Sequence, residues 1–270
     1  MNGMLLLTLA IAPSIAFLIY IYNRDRYDKE PRRLLFRAFI LGIVIVVPAV
    51  IVELILAALY KGGGMLGPAF YHGFVVAGFT EEVLKFIALY VGFFKVREFN
   101  ERFDGIVYGV FVSLGFATLE NILYVTTGGV SVAVIRALTA VPAHALFGVA
   151  MGYYVGRARF ASPSRVNNLL AKSILIPILL HGFYDFILMS QNMILLILFI
   201  PYMIYMWHRG MKNLKELDRV KDELLQINYE AHQYSEPIPE GQSIEEHMAF
   251  EHPEYGPEDE IFSEDQAEEY

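Results

Sequence analysis

The chain has 270 residues, 56% of them hydrophobic and 19% charged, with no cysteine and a formal net charge of -8. Its mean hydropathy of +0.44 and its shortage of charge turn away from the cytosol and toward lipid. The lack of cysteine excludes a disulfide scaffold, a thiol nucleophile, an iron–sulfur centre and cysteine-bound zinc, and the acidic balance speaks against nucleic acid as a partner.

A hydrocarbon core of about 30 Å is crossed by about 20 apolar helical residues. Seven stretches read as such spans: 4–22, 38–60, 70–94, 106–125, 131–156, 173–190 and 193–207. The first has no basic residue before it and runs into Arg24, Arg26 and Lys29, so it reads as an uncleaved anchor. The second carries a lone carboxylate, Glu53, without an obvious partner. The third holds Glu81, Glu82 and Lys85, and the fourth Glu120 and Asn121. In the fifth are Arg136, Pro142 and His144, where the proline predicts a kink. The sixth holds His181 and Asp185. The last two spans are short and joined only by Ser190, Gln191 and Asn192, so six spans with one re-entrant hairpin is the alternative. Glycines at 105, 109, 115, 148, 152 and 156 suit close helix packing.

Beyond the spans, Leu214, Leu217, Val220, Leu224 and Ile227 recur at helical spacing. They predict an amphipathic helix over 208–229, lying on the membrane surface or against the body. Residues 230–270 hold 14 acids and neither Lys nor Arg, and are expected to be a disordered tail. Dividing the charge there gives +6 for residues 1–229 and -14 for the remainder. Of the 21 Lys and Arg, 18 fall within 24–37, 95–102, 157–172 and 209–221, while Lys61 stands alone on the opposite side. Cytoplasmic loops retain basic residues. The expected fold is therefore an all-α, polytopic integral membrane helical bundle of about seven transmembrane helices, N-terminus outside and C-terminus cytoplasmic.

Nine ionisable residues inside predicted spans need a reason, since each charge near the bilayer centre costs at least about 2.5 to 3.5 kcal/mol on insertion scales. With the assumed orientation and a rise of about 1.5 Å per residue, Glu81, Glu82, His144 and His181 share one depth near the midplane. Glu120, Asn121, Arg136 and Asp185 form a shallower layer. Glu81 and Lys85 lie four residues apart on one helix face, so Lys85 is expected to pair with one carboxylate while the other faces a cavity. His181 and Asp185 share the same spacing, which lets the carboxylate orient the imidazole. Glu120 is expected to pair with Arg136. A water activated by one carboxylate of the Glu81, Glu82 pair, with an oxyanion held by His181 and by His144 or Asn121, is the chemistry this set suggests. Ser113 and Thr80 have no base one turn away. No metal or other cofactor is expected; were zinc bound, Glu81, Glu82, His144 and His181 would be its ligands.

Four motifs in order resemble the PrsW family of bacterial intramembrane proteases, within the larger group of CAAX-prenyl-protease-like membrane enzymes. They are Glu81-Glu82-x-x-Lys85; Phe103-Asp104-Gly105 through Gly109, running into Phe116-x-x-x-Glu120-Asn121; Arg136 followed by Pro142-x-His144; and His181-Gly-x-x-Asp185. The stretch from Arg26 to Pro31 is similar to the family's first cytoplasmic loop. The resemblance covers roughly residues 10 to 207 and makes 1–207 a transmembrane protease domain in a bacterial cell membrane. It implies cleavage of a single-span partner, a membrane-tethered anti-sigma factor, on its extracytoplasmic side, starting a cascade that frees a sigma factor under envelope stress. Glu81, Glu82 and His181 would be essential, with Lys85, Glu120, Asn121, Arg136 and Asp185 in support. A glutamic and a metal mechanism both remain open at this point. Two other classes compete: an ion-coupled transporter, which the lack of internal repeats disfavours, and a non-catalytic binder of single-span proteins.

Overall fold

The computed structural model describes residues 3–25 and 28–234, and every regular element among them is a helix. In chain order these are α1 (Gly3–Arg24), α2 (Arg32–Val44), α3 (Val46–Leu59), α4 (Gly67–Phe70), a π-helix (Tyr71–Phe79), α5 (Thr80–Phe93), α6 (Arg102–Leu138), α7 (Ala140–Arg159), α8 (Pro163–Met189) and α9 (Met193–Tyr234). Each of the seven apolar stretches falls on helix. Among the described residues, five helical runs are long and apolar enough to cross a membrane: Gly3–Arg24, Arg32–Leu59, Arg102–Arg159, Pro163–Met189 and Met193–Val220.

Proline sets two of the breaks. A proline lacks the N–H that would bond to the carbonyl four residues earlier, and its ring crowds that carbonyl. Pro48 therefore releases Val44, where α2 ends, and Pro142 releases Leu138, where α6 ends. The predicted fifth span is thus divided at Thr139. Within α6 the path doubles back at Gly129, whose φ of 73° suits a residue without a Cβ. The arms 102–128 and 130–138 lie side by side, with Val125 and Ala133 packed together.

The core is built around α6, which touches α1, α2, α5 and α7. Its crossing with α7 brings backbone against backbone. A Cβ on Gly152 would sit 2.1 Å from the Gly105 carbonyl, and one on Gly156 would sit 2.0 Å from that of Arg102. Glycines 105, 109, 148, 152 and 156 of the predicted stripes thus form this crossing, which brings His144 of α7 against the arm of α6 that carries Ser113 and Glu120, while a Cβ on Gly115 would meet the Phe39 carbonyl of α2 at 2.1 Å.

The four basic stretches meet at one end. Arg24 pairs with Asp218 at 2.5 Å, Arg33 with Glu98 at 2.9 Å and Arg157 with Glu216 at 3.8 Å, and Asn100 donates to Asp28. The predicted amphipathic segment continues α9 without a break, and Leu214 and Leu217 join the main core, so this part of the segment packs against the body. Helix α9 runs to Tyr234, taking in the first residues of the expected tail; residues 235–270 lie outside the described residues.

Candidate active site

The π-helix leads directly into the site. Its wider turn carries Gly73 and Gly78 against α8, where a Cβ on Gly73 would meet the Phe186 nitrogen at 2.8 Å and one on Gly78 the Gly182 nitrogen at 3.1 Å. Such π segments recur near functional positions. This close approach sets Glu81 and Glu82, in the first turn of α5, facing His181 on α8.

Lys85 is fully buried, and its ammonium donates to Glu81 Oε2 at 2.9 Å, to Glu82 Oε1 at 2.8 Å and to His144 Nδ1 at 3.1 Å. Phe116 lies under it, with the ring centroid 4.3 Å from Nζ. Lys85 was expected to pair with one carboxylate; it bridges both. The carboxylates still differ, because Glu82 is 0% exposed and Glu81 6%. Glu81 keeps what little exposure the pair has.

An ammonium can only donate, so His144 Nδ1 accepts and the ring proton sits on Nε2. That N–H donates to Glu120 Oε2 at 2.9 Å. Both nitrogens of His144 are thereby committed. Arg136 closes on the same Glu120 oxygen at 3.0 Å, the expected pairing. Asn121 takes the Arg136 Nε–H on its oxygen at 2.8 Å and donates from its nitrogen to the Ala10 carbonyl at 2.7 Å. It ties α1 to the two arms of α6, a structural use that the oxyanion role expected of it did not include. The two depth layers form one network.

His181 differs from His144 because carboxylates flank both its nitrogens. Nδ1 lies 2.9 Å from Glu82 Oε1 and 3.9 Å from Glu81 Oε2, while Nε2 lies 3.3 Å from Asp185 Oδ2. The Phe147 ring stacks on the imidazole at 4.8 Å. Ser113 donates to the His144 carbonyl and Thr80 to that of Val75, so neither hydroxyl faces a base.

Glu81, Glu82 and His181 each offer a donor atom within 4.8 Å of the others, and His144 is outside this group. Glu82 Oε2 is buried without a hydrogen-bond partner among the described residues. An orphaned carboxylate oxygen, a second carboxylate and an imidazole steadied from behind by Asp185 suit a divalent metal ion.

Reasoning from sequence left Glu53 without a role, named Phe116 as the first residue of a motif without seeing its place under Lys85, and overlooked Phe147. Phe147 carries no signal beyond apolar helical spacing. Glu53 does carry one, as a single carboxylate on an otherwise apolar helix.

A polytopic helical membrane protein with acids, a lysine and histidines buried between its helices defines the class. A family profile described as "PrsW family intramembrane metalloprotease" matches residues 30–207. The chain belongs to the PrsW family. It is 44% identical over 212 residues to a protein named Protease PrsW from Bacillus subtilis (strain 168), covering 78% of this chain and 94% of that one. Its identity to the protein of that name from Geobacillus kaustophilus is 42% over 187 residues, covering 69% and 81%. For the one from Clostridioides difficile (strain 630) it is 36% over 218 residues, covering 78% and 90%. No solved structure matches the chain. The chain is thus a multi-pass bacterial membrane protein of a peptidase family, and the family description names a metal where none was expected from sequence.

Proposed function

We propose that this chain is a membrane-embedded peptidase that cuts a single-span membrane protein, an anti-sigma factor, on its extracytoplasmic side. The observation that carries this reading is the convergence of Glu81, Glu82 and His181 donor atoms within 4.8 Å, inside a helical bundle of this family. Glu81, Glu82 and His181 would hold a divalent ion, which when bound polarises a carbonyl and acidifies a water. Lys85 fixes the rotamers of both glutamates and offsets one of their two negative charges. Glu81, the more accessible, would give its oxygen not held by Lys85 to the ion; with no ion the same oxygen takes a proton from the attacking water and returns it to the leaving amine. Asp185 and the Phe147 ring hold the His181 imidazole in place. The chain divides into a catalytic body over 1–207, a helix over 208–229 docked on it, and a cytoplasmic acidic tail over 230–270. The N-terminus is outside, as the basic stretches gathered at one end support.

A metal-free glutamic mechanism is the second reading. It is favoured by Lys85 and His181, which already satisfy one oxygen of each glutamate. Reconstitution with a single-span bait, its short extracytoplasmic stem scanned for cuts, tests the function. Glu81→Gln, Glu82→Gln and His181→Ala should each lower cleavage roughly 100-fold or more. Wild-type cleavage by all three would end the peptidase reading. Activity lost in strong chelator and restored by one metal selects the first mechanism; full activity without stoichiometric metal selects the second.

A further inference from the structure

Among the nine ionisable side chains singled out in the spans, Glu53 alone has no hydrogen bond or ion pair among the described residues. It is not a stray surface charge. On α3, Val46 and Ala49 are buried, and Glu53, Leu56 and Tyr60 continue the same stripe at half-burial. This three- and four-residue spacing marks the helix face turned toward the bundle. Leu54, beside it on the outer face, is 67% exposed. The Glu53 carboxyl lies in the electrostatic reach of Lys85 on α5, Glu120 on α6, and His181 and Asp185 on α8. It stands on the bundle-facing side of α3, a helix that supplies no member of the cluster but packs on α5, which carries Glu81, Glu82 and Lys85.

That helix is also thinly held. Helix α3 packs on the π-helix and α5, starts beside the Pro48 break, and is pinned near its far end by Tyr71 donating to the Leu56 carbonyl and stacking on Tyr60.

A stem segment that reaches a site buried between helices leaves water behind, and in an extended form its main-chain N–H groups need acceptors that hydrocarbon cannot supply. Inside the cluster Glu120 Oε2 is already held by Arg136 and His144, Asp185 Oδ2 by His181 and the Asn121 oxygen by Arg136, and the carboxylate oxygens left over sit on side chains that those bonds hold fixed, whereas both Glu53 oxygens are without a partner among the described residues. We propose that Glu53 is a substrate-binding residue, its carboxylate accepting main-chain N–H groups from an extended stem segment of a single-span protein that enters beside α3. This rests on the peptidase reading and names how its substrate is held.

The test separates the two. Full-length chain carrying Glu81→Gln, or His181→Ala should the first fail to fold, is placed in lipid nanodiscs, and capture of the bait is measured by fluorescence anisotropy. Adding Glu53→Leu should weaken capture by about tenfold to a hundredfold, the loss of a charge-assisted hydrogen bond. It should also raise the melting temperature, because an unpaired carboxyl leaves an apolar wall. Glu53→Gln, whose amide oxygen still accepts, should retain most of the capture. Unchanged capture with Glu53→Leu, no capture by the parent variant, or a lowered melting temperature with Glu53→Leu would each overturn the assignment. A bait captured through Glu53 yet never cut by the wild type would overturn the peptidase reading and leave this one standing.

Discussion

Three donor protons on Lys85 meet three acceptors, on Glu81, Glu82 and His144, and this match limits what the neighbouring side chains are free to do. His144 becomes a relay between Lys85 and Glu120 with no nitrogen left for a ligand, whereas His181 keeps Nδ1 pointed at both glutamates. His144→Ala should therefore keep any bound metal but slow cleavage by roughly 10- to 100-fold, as removal of a supporting partner does. Elemental analysis beside cleavage kinetics checks this; metal lost with His144→Ala would restore His144 to the ligand set. The sequence was informative here only up to a point. Helical spacing put Lys85 beside Glu81 and Asp185 beside His181. It could not show that Lys85 reaches His144 across 59 positions or Glu82 reaches His181 across 99, because such partners are chosen by helix packing.

Between elements, the link from α1 to α2 carries its own titratable contact. Glu30 is buried under α6, where the Tyr108 hydroxyl donates to its carboxylate and its own N–H bonds Asp25. Burial, with Asp25 and Asp28 nearby, pushes its pKa up from 4.5 to about 7. The folded chain thus holds this proton more tightly than the unfolded one, so the contribution of Glu30 to stability is full below pH 4.5 and is lost as pH rises toward about 7. Melting in detergent at pH 5 and pH 8 should show this loss in the wild type and a flatter profile in Glu30→Gln; equal slopes would remove Glu30 as the cause. Other features of the elements were unevenly legible. Pro142 announced its break through its missing N–H, and the glycine stripes announced a close crossing. The π-helix over Tyr71–Phe79 did not, since an apolar run with two glycines looks the same whether it closes on the fourth or the fifth residue.

At the scale of the molecule, the alternation of basic and apolar stretches was the most legible feature, and the contacts of Arg24, Arg33 and Arg157 gather those stretches at one end. What α9 does was less so, because amphipathic spacing alone does not distinguish a lipid surface from a protein one. Every side chain placed in the site precedes α9. A chain stopping at Tyr234 should therefore cleave bait at the wild-type rate; complete loss in a well-folded truncate would give the tail a part in catalysis. The fold-back at Gly129 has a consequence of another kind. Asn121 and Arg136 stand at matching heights on its two arms, so their meeting depends on a residue count. One residue inserted between 130 and 135 would rotate Arg136 by about 100° and advance it by about 1.5 Å, carrying the guanidinium away from Glu120. Along that arm the chain can vary in spelling but not in length.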